Sequence, residues 1–212
     1  TYILRADIDP REASKTGEDF SICGSCPHRG NPTNNPDKKQ ATERTCYVVL
    51  GQGPLIVYKG LVAGRYPHRT QILPIVALGS GRKVRLGTYG DPAAVPSYVW
   101  DALLTDSIGH TGYSHQAGTK ADYQPTQTMR SVDTFQQALN AWQNGERTFR
   151  VISNVDQIDP DNEILCPASK EAGQRTTCEK CGLCAGSKVK AKSIAIPAHG
   201  NGRNHFGKQI AA

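Results

Sequence analysis

The residues best suited to chemistry in this 212-residue chain are its seven cysteines, which fall into two groups. Cys178-x2-Cys181-x2-Cys184 packs three thiols into one short run, and Cys166 precedes it. Cys23, Cys26 and Cys46 form the other group, and no cysteine lies outside the two. Consecutive C-x2-C steps let one tight loop reach several irons of a cubane, with a more distant Cys closing the fourth corner. Zinc is a single tetrahedral ion, usually held by two separate C-x2-C knuckles. The set Cys166, Cys178, Cys181 and Cys184 therefore points to a 4Fe-4S cluster before zinc, ahead of disulfides or free thiols. The Cys166-Pro167 step repeats the Cys-Pro pair that often ends such motifs. With all four irons held by cysteine, such a cluster transfers electrons or staples its loop.

The N-terminal group offers three thiolates, one short of a four-ligand site. Cys23-x2-Cys26 is followed by Pro27, and Cys46 comes 20 residues after Cys26. The fourth position has three readings: His28 completes a zinc site, an outside residue completes a cubane, or one iron stays open to substrate or cofactor. A group without metal is the remaining reading.

Other polar residues are expected at strand ends, where α/β proteins bind ligands. Gly87-Thr88-Tyr89-Gly90-Asp91-Pro92 follows the clearest strand. Its glycines would let a ligand approach the backbone, and Asp91 can accept from an amine or hydroxyl. A tight turn explains the same residues, which match neither a dinucleotide fingerprint nor a P-loop. His115 in Tyr113-Ser114-His115-Gln116 is an acid–base or ligand candidate. Ser153-Asn154, His199 and His205 end or follow later strands.

The elements that must position these groups show an α/β rhythm from residue 83. Strands are expected at 83–87, 111–114, 148–152, 163–166 and 193–196. A helix is expected over 96–104, with Val99, Leu103 and Leu104 on one face. A second should run from a Ser131 cap through Asn144, with Phe135, Leu139 and Trp142 inward and Gly145 ending it. Residues 54–63 and 72–78 are apolar without alternation and fit buried strand or buried helix. Alternating strands and helices predict a single α/β domain over 1–212, a partial (β/α) barrel or an open parallel sheet. Residues 1–50 carry the N-terminal cysteines, 51–155 the βα core and 156–212 the C-terminal cysteines.

The formal charge is +6, and Lys170, Arg175, Lys180, Lys188, Lys190, Lys192, Arg203 and Lys208 gather late in the chain. That invites a nucleic-acid or acidic partner, or compensation of a cluster's charge. Metal-bound cysteines are thiolates, so a loaded chain would carry only about +3. Few aromatics interleave the late basic residues, which argues against base stacking. No apolar run reaches the ~18 residues of a membrane span, so no membrane association is expected. An odd number of cysteines cannot all pair within the chain, and a reducing, cytoplasmic setting fits better.

Clustered cysteines ahead of a βα series, with a strand ending in Gly87-x-x-Gly90-Asp91-Pro92, resemble a radical-SAM core. The resemblance covers roughly residues 20–155. It implies a three-cysteine 4Fe-4S cluster with one open iron, and S-adenosylmethionine contacted by Gly90 and Asp91. The family signature is C-x3-C-x2-C, where this chain has Cys23-x2-Cys26 and a distant Cys46. The whole pattern, with CPASKEAGQRTTCEKCGLCAG and the closing KSIAIPAHG, is more similar to a phage-encoded protein family with radical-SAM-like cysteine clusters. The C-terminal group resembles the auxiliary-cluster extensions of radical-SAM enzymes. The resemblance implies redox or radical-type chemistry on an unknown substrate in an infected bacterial cytoplasm. The competing expectations are a zinc- or cluster-stapled nucleic-acid-binding protein and a virion component.

Overall fold

A computed structural model describes residues 1–200 and 202–207. Six strands, β1 (Lys83–Leu86), β2 (Gly109–Ser114), β3 (Met129–Val132), β4 (Thr148–Ile152), β5 (Glu163–Leu165) and β6 (Ser193–Pro197), form one sheet. Its order is β1-β2-β3-β4-β6-β5 and every pairing is parallel. Of the two expected forms, the sheet is the open one. Parallel order forces each strand to be followed by a return crossing, so all strand ends of one sense gather at one edge.

Helices α1 (Pro10–Thr16) and α2 (Phe20–Cys23) precede the first two apolar helices, α3 (Gly53–Val62) and α4 (Ile72–Gly79). The apolar runs left open between strand and helix are thus helical. Helix α5 (Ser97–Leu104) follows β1, with Pro96 as its N-cap. Its buried residues are Trp100 and Ala102 rather than Val99, and the Trp100 indole donates to Pro92 O at 2.8 Å. Helix α6 (Phe135–Gln143) starts three residues later than expected. Ser131 lies on β3, and Thr134 caps α6 in a reciprocal box with Gln137. That box satisfies two orphan backbone donors at once, so it outcompetes a lone upstream serine. Helix α7 (Cys178–Cys181) is a single turn capped by Thr177 and closed by Gly182 in the left-handed conformation.

The two sheet faces carry different cargo. On one, Val84 and Leu86 join Ile3, Ile22, Val48, Leu50, Tyr89 and Trp100 in the larger core. Farther along, Arg150 and Glu163 form a buried ion pair. It reaches across β6, where the small residues Ser193 and Ala195 make room. The Trp142 indole bonds Ser193 Oγ at 2.9 Å, fixing α6 to this face. On the opposite face Tyr113, Met129, Phe149, Ile164, Ile194 and Ile196 pack against Cys166, Leu183 and Cys184. No helix among the described residues is long and apolar enough to cross a membrane.

Candidate metal centres

The C-terminal cysteines gather on that second face. Cys166, Cys178, Cys181 and Cys184 line one pocket, floored by Thr111, Tyr113 and Ile194 of the sheet. Cys166 directly follows β5, and its N–H bonds Ala195 O. Cys178 and Cys181 share the single turn of α7. The Cys184 carbonyl accepts from Gly112 N–H at 2.9 Å, and Ser187 N–H bonds Pro125 O at 2.8 Å. The cysteine loop is thereby sewn into the gap before β2 and β3 join. Gly186 permits this, because at φ +83 an added Cβ would meet Thr126 O at 2.5 Å. All seven cysteines of the chain are free thiols.

Arg147, which no sequence pattern singles out, holds this loop. Its side chain is buried and donates to four carbonyls: Ala191 at 2.8 Å, Leu183 at 2.7 Å, Gly186 at 3.0 Å and Lys192 at 2.7 Å. A second cation, Arg85, donates to Tyr47 Oη and lies 5.5 Å over the Tyr113 ring. Its Nε is buried without a hydrogen bond. Burial, then the neighbouring Cys166, pushes the Cys184 thiol up to about 12, although the Tyr113 hydroxyl bonds it. Burial likewise raises Cys166. Crowded, desolvated thiols resist ionisation, and a bound cation is what reverses that. Four sulfur donors around one pocket are the donor chemistry that a metal or iron–sulfur group would require.

The N-terminal group assembles at the strand-end edge. Cys23 ends α2, and Cys26 precedes a 3-10 turn over Pro27–Arg29. Cys46 N–H bonds His28 O at 3.0 Å, bringing the third thiol alongside. Gln116, just past β2, clamps the Cys23–Cys26 loop: its amide donates to Cys23 O at 3.1 Å, and Ser25 N–H approaches its Oε1 at 3.4 Å. Burial raises Cys23 well above the usual thiol range, reinforced by Cys26, Asp19 and Cys46. Burial also raises Cys46, against the pull of Arg44.

His115 and Asp133, at the ends of β2 and β3, complete this edge. His115 Nδ1 lies 3.5 Å from Cys26 Sγ. Its Nε2 faces Asp133 Oδ2 at 3.5 Å and is buried without a hydrogen bond. His28 is tied at both nitrogens, to Thr45 Oγ1 and to Asp133 Oδ1, each at 2.8 Å. His28, His115 and Asp133 offer three ligand atoms within 4.8 Å of one another. Burial opposes the His115 imidazolium, but Cys26 and Asp133 outweigh it and its pKa lies well above the usual value. Burial likewise opposes the Asp133 carboxylate, yet His115 and His28 hold it below the usual range.

Gly90 and Asp91 sit where the sequence reading put them, after β1, in a packing role. Gly90 has φ +82, and a Cβ there would lie 2.6 Å from Ile3 Cβ. Asp91 accepts from Ala93 N–H, Ser114 Oγ and His115 N–H at 3.0, 2.7 and 2.8 Å, while its own N–H bonds Ile22 O. It fastens α2 to the end of β2, and so Cys23 to His115. Asn154 caps a 3-10 turn over Val155–Gln157. The His199 ring lies 5.6 Å from that of Tyr47, and His205 sits in an exposed turn. Of the late basic residues, Lys170, Arg175, Lys180, Lys188, Lys190, Lys192 and Arg203 are exposed. Lys192 reaches Pro160 O, and Lys208 lies outside the described residues. No family model, curated protein or solved structure was found to match the chain.

Proposed function

We propose that this protein is an iron–sulfur protein with two metal centres that moves electrons, in service of redox chemistry on a substrate yet to be identified. The observation that carries this reading is the convergence of Cys166 with Cys178, Cys181 and Cys184 around one pocket on an apolar sheet face. Four cysteine thiolates are the donor set of a 4Fe-4S cluster, whose chemistry is one-electron exchange. The protein's part is to hold the thiolates, exclude water with Tyr113, Leu183 and Ile194, and offset the site's negative charge through Arg85 and Arg147.

Two further features support electron exchange over a purely structural staple. Cys178 is exposed, so one edge of the C-terminal centre reaches the surface, on a segment that carries exposed Lys170, Arg175 and Lys180 together with exposed Glu171 and Glu179. The mixed charges of that segment suit a polar redox partner. Tyr47, next to Cys46, meets Arg85, which stacks over Tyr113 beside Cys184. The cysteine segments of both centres thus touch one aromatic–guanidinium stack.

Anaerobic purification with iron, sulfide and zinc analysis tests the reading. About four irons and four sulfides for the C-terminal centre, with broad visible absorbance, is the expected result. Cys166→Ser should remove that complement and leave the N-terminal centre. A colourless protein holding only zinc would replace electron transfer with a metal-stapled binding protein, whose affinity for DNA or RNA would fall with salt.

A further inference from the structure

The N-terminal cysteines leave one position of a four-ligand centre to be filled. His28, nearest in sequence, is spent: Thr45 and Asp133 each bond one of its ring nitrogens at 2.8 Å. His115 is not. Its ring is half-buried, its buried Nε2 makes no hydrogen bond, and its Nδ1 points to Cys26 Sγ at 3.5 Å. An ion with metal–sulfur bonds of about 2.3 Å and metal–nitrogen bonds of about 2.0 Å in tetrahedral array places sulfur and nitrogen roughly 3.5 Å apart. Cys26 and His115 already stand at that distance. The three ligand atoms that gather within 4.8 Å at this edge are those of His28, His115 and Asp133, so Cys23 and Cys46 must close on the ion by side-chain rotation.

We propose that His115 Nδ1 is the fourth protein ligand of the N-terminal centre, which is therefore a closed Cys3His set of Cys23, Cys26, Cys46 and His115. The proposal rests on reading the three cysteines as a metal site. Asp133 is the positioning carboxylate that faces the remote ring nitrogen of His115, as carboxylates commonly do behind metal-bound histidines. His28 holds Asp133 in turn. The surroundings are built for that contact. Gln116 grips the cysteine loop, and Asp91 joins β2 to α2 on either side of it. A closed set leaves no coordination position for S-adenosylmethionine.

Cys26, His115 and Asp133 also lie in the order of a thiol–imidazole–carboxylate nucleophile chain. Cys23 and Cys46 decide between the two. A nucleophile needs neither, whereas a metal uses both, and Cys46 is drawn in by its own backbone bond to His28.

The test uses the full chain carrying Cys166→Ser, so that bound metal reports the N-terminal centre. Metal and sulfide are measured with and without Cys46→Ser, His115→Ala and His115→Cys, with circular dichroism as the check on folding. The expected result is near-complete loss of metal with Cys46→Ser and with His115→Ala, and recovery with His115→Cys. Pulsed EPR of a Co(II)-substituted sample should show nitrogen coupling that His115→Cys abolishes. Full metal retention by His115→Ala, with loss in Cys46→Ser, overturns the ligand assignment and leaves the metal reading intact. Metal retention in all variants, or a metal-free parent whose Cys26 is selectively alkylated by iodoacetamide, overturns the metal reading itself.

Discussion

Replacing Arg147 by methionine should cost about 3 kcal/mol. The guanidinium donates four bonds of 2.7–3.0 Å to the carbonyls of Leu183, Gly186, Ala191 and Lys192. At roughly 1.5 kcal/mol for each charge-assisted bond, the gross loss is about 6 kcal/mol. Removing a cation whose burial lowers its own pKa returns several kcal/mol of desolvation, on the order of 3. The net figure corresponds to a fall in Tm of about 6–12 °C for a chain of this size. Urea and thermal unfolding should be measured for metal-loaded and metal-free protein. If Arg147 also offsets the charge of four thiolates and their metal, the loaded form must lose more than the free form. Chelator should also strip the C-terminal centre faster. Arg147→Lys keeps the charge but not the fork, and should fall between. A loss under about 1 kcal/mol in both forms would refute the argument, and equal losses would refute its electrostatic half.

Gly186→Ala should weaken the same loop, because its φ of +83 and the 2.5 Å approach to Thr126 O leave no room for a methyl group; slower metal uptake by the C-terminal centre is the readout. Thr134→Ala breaks the capping box of α6 and should cost about 1 kcal/mol in urea unfolding without altering metal content. The Cys184 thiol is pushed up to about 12, against about 8.5 in an unfolded chain. A folded pKa above the unfolded one contributes stability below about pH 8.5 that is lost as pH rises further. The metal-free protein should therefore show a lower urea midpoint at high pH than at neutral pH. The loaded protein, its thiolates already formed, should not, and a flat metal-free profile would count against the buried-thiol description.

Much of the frame was readable from pattern alone. Five of the six strands stand where runs such as Thr148-Phe149-Arg150-Val151-Ile152 put them. Strand β3 escaped because Met129-Arg130-Ser131-Val132 is short and half polar, so it has no alternation to detect. The misplaced cap of α6 follows from the same gap, since Ser131 looks free to cap only if its strand goes unseen. The cysteines announced themselves by spacing, and His115 by its place after a strand. That Cys26 meets His115, 89 residues away, depends on parallel pairing of β1 with β2, which no local pattern encodes. Asp133 and Arg147 carry no motif. An aspartate before a helix cap and an arginine before a strand are ordinary residues until the fold shows what they touch.

The ties of Cys26 to His115 and of His28 to Asp133 also set an order of events on the ribosome. Cys23, Cys26 and Cys46 emerge early, but Asp133 follows Cys46 by 87 residues. At roughly 5–20 residues per second, the three thiols wait about 4–17 s for the strands that bring their partners. The last cysteine group, by contrast, is made almost complete, with β6 following within a few residues. The C-terminal thiols thus meet their sheet partners almost as they are made, while Cys23, Cys26 and Cys46 stay exposed to oxidation until the strands that cover them have folded.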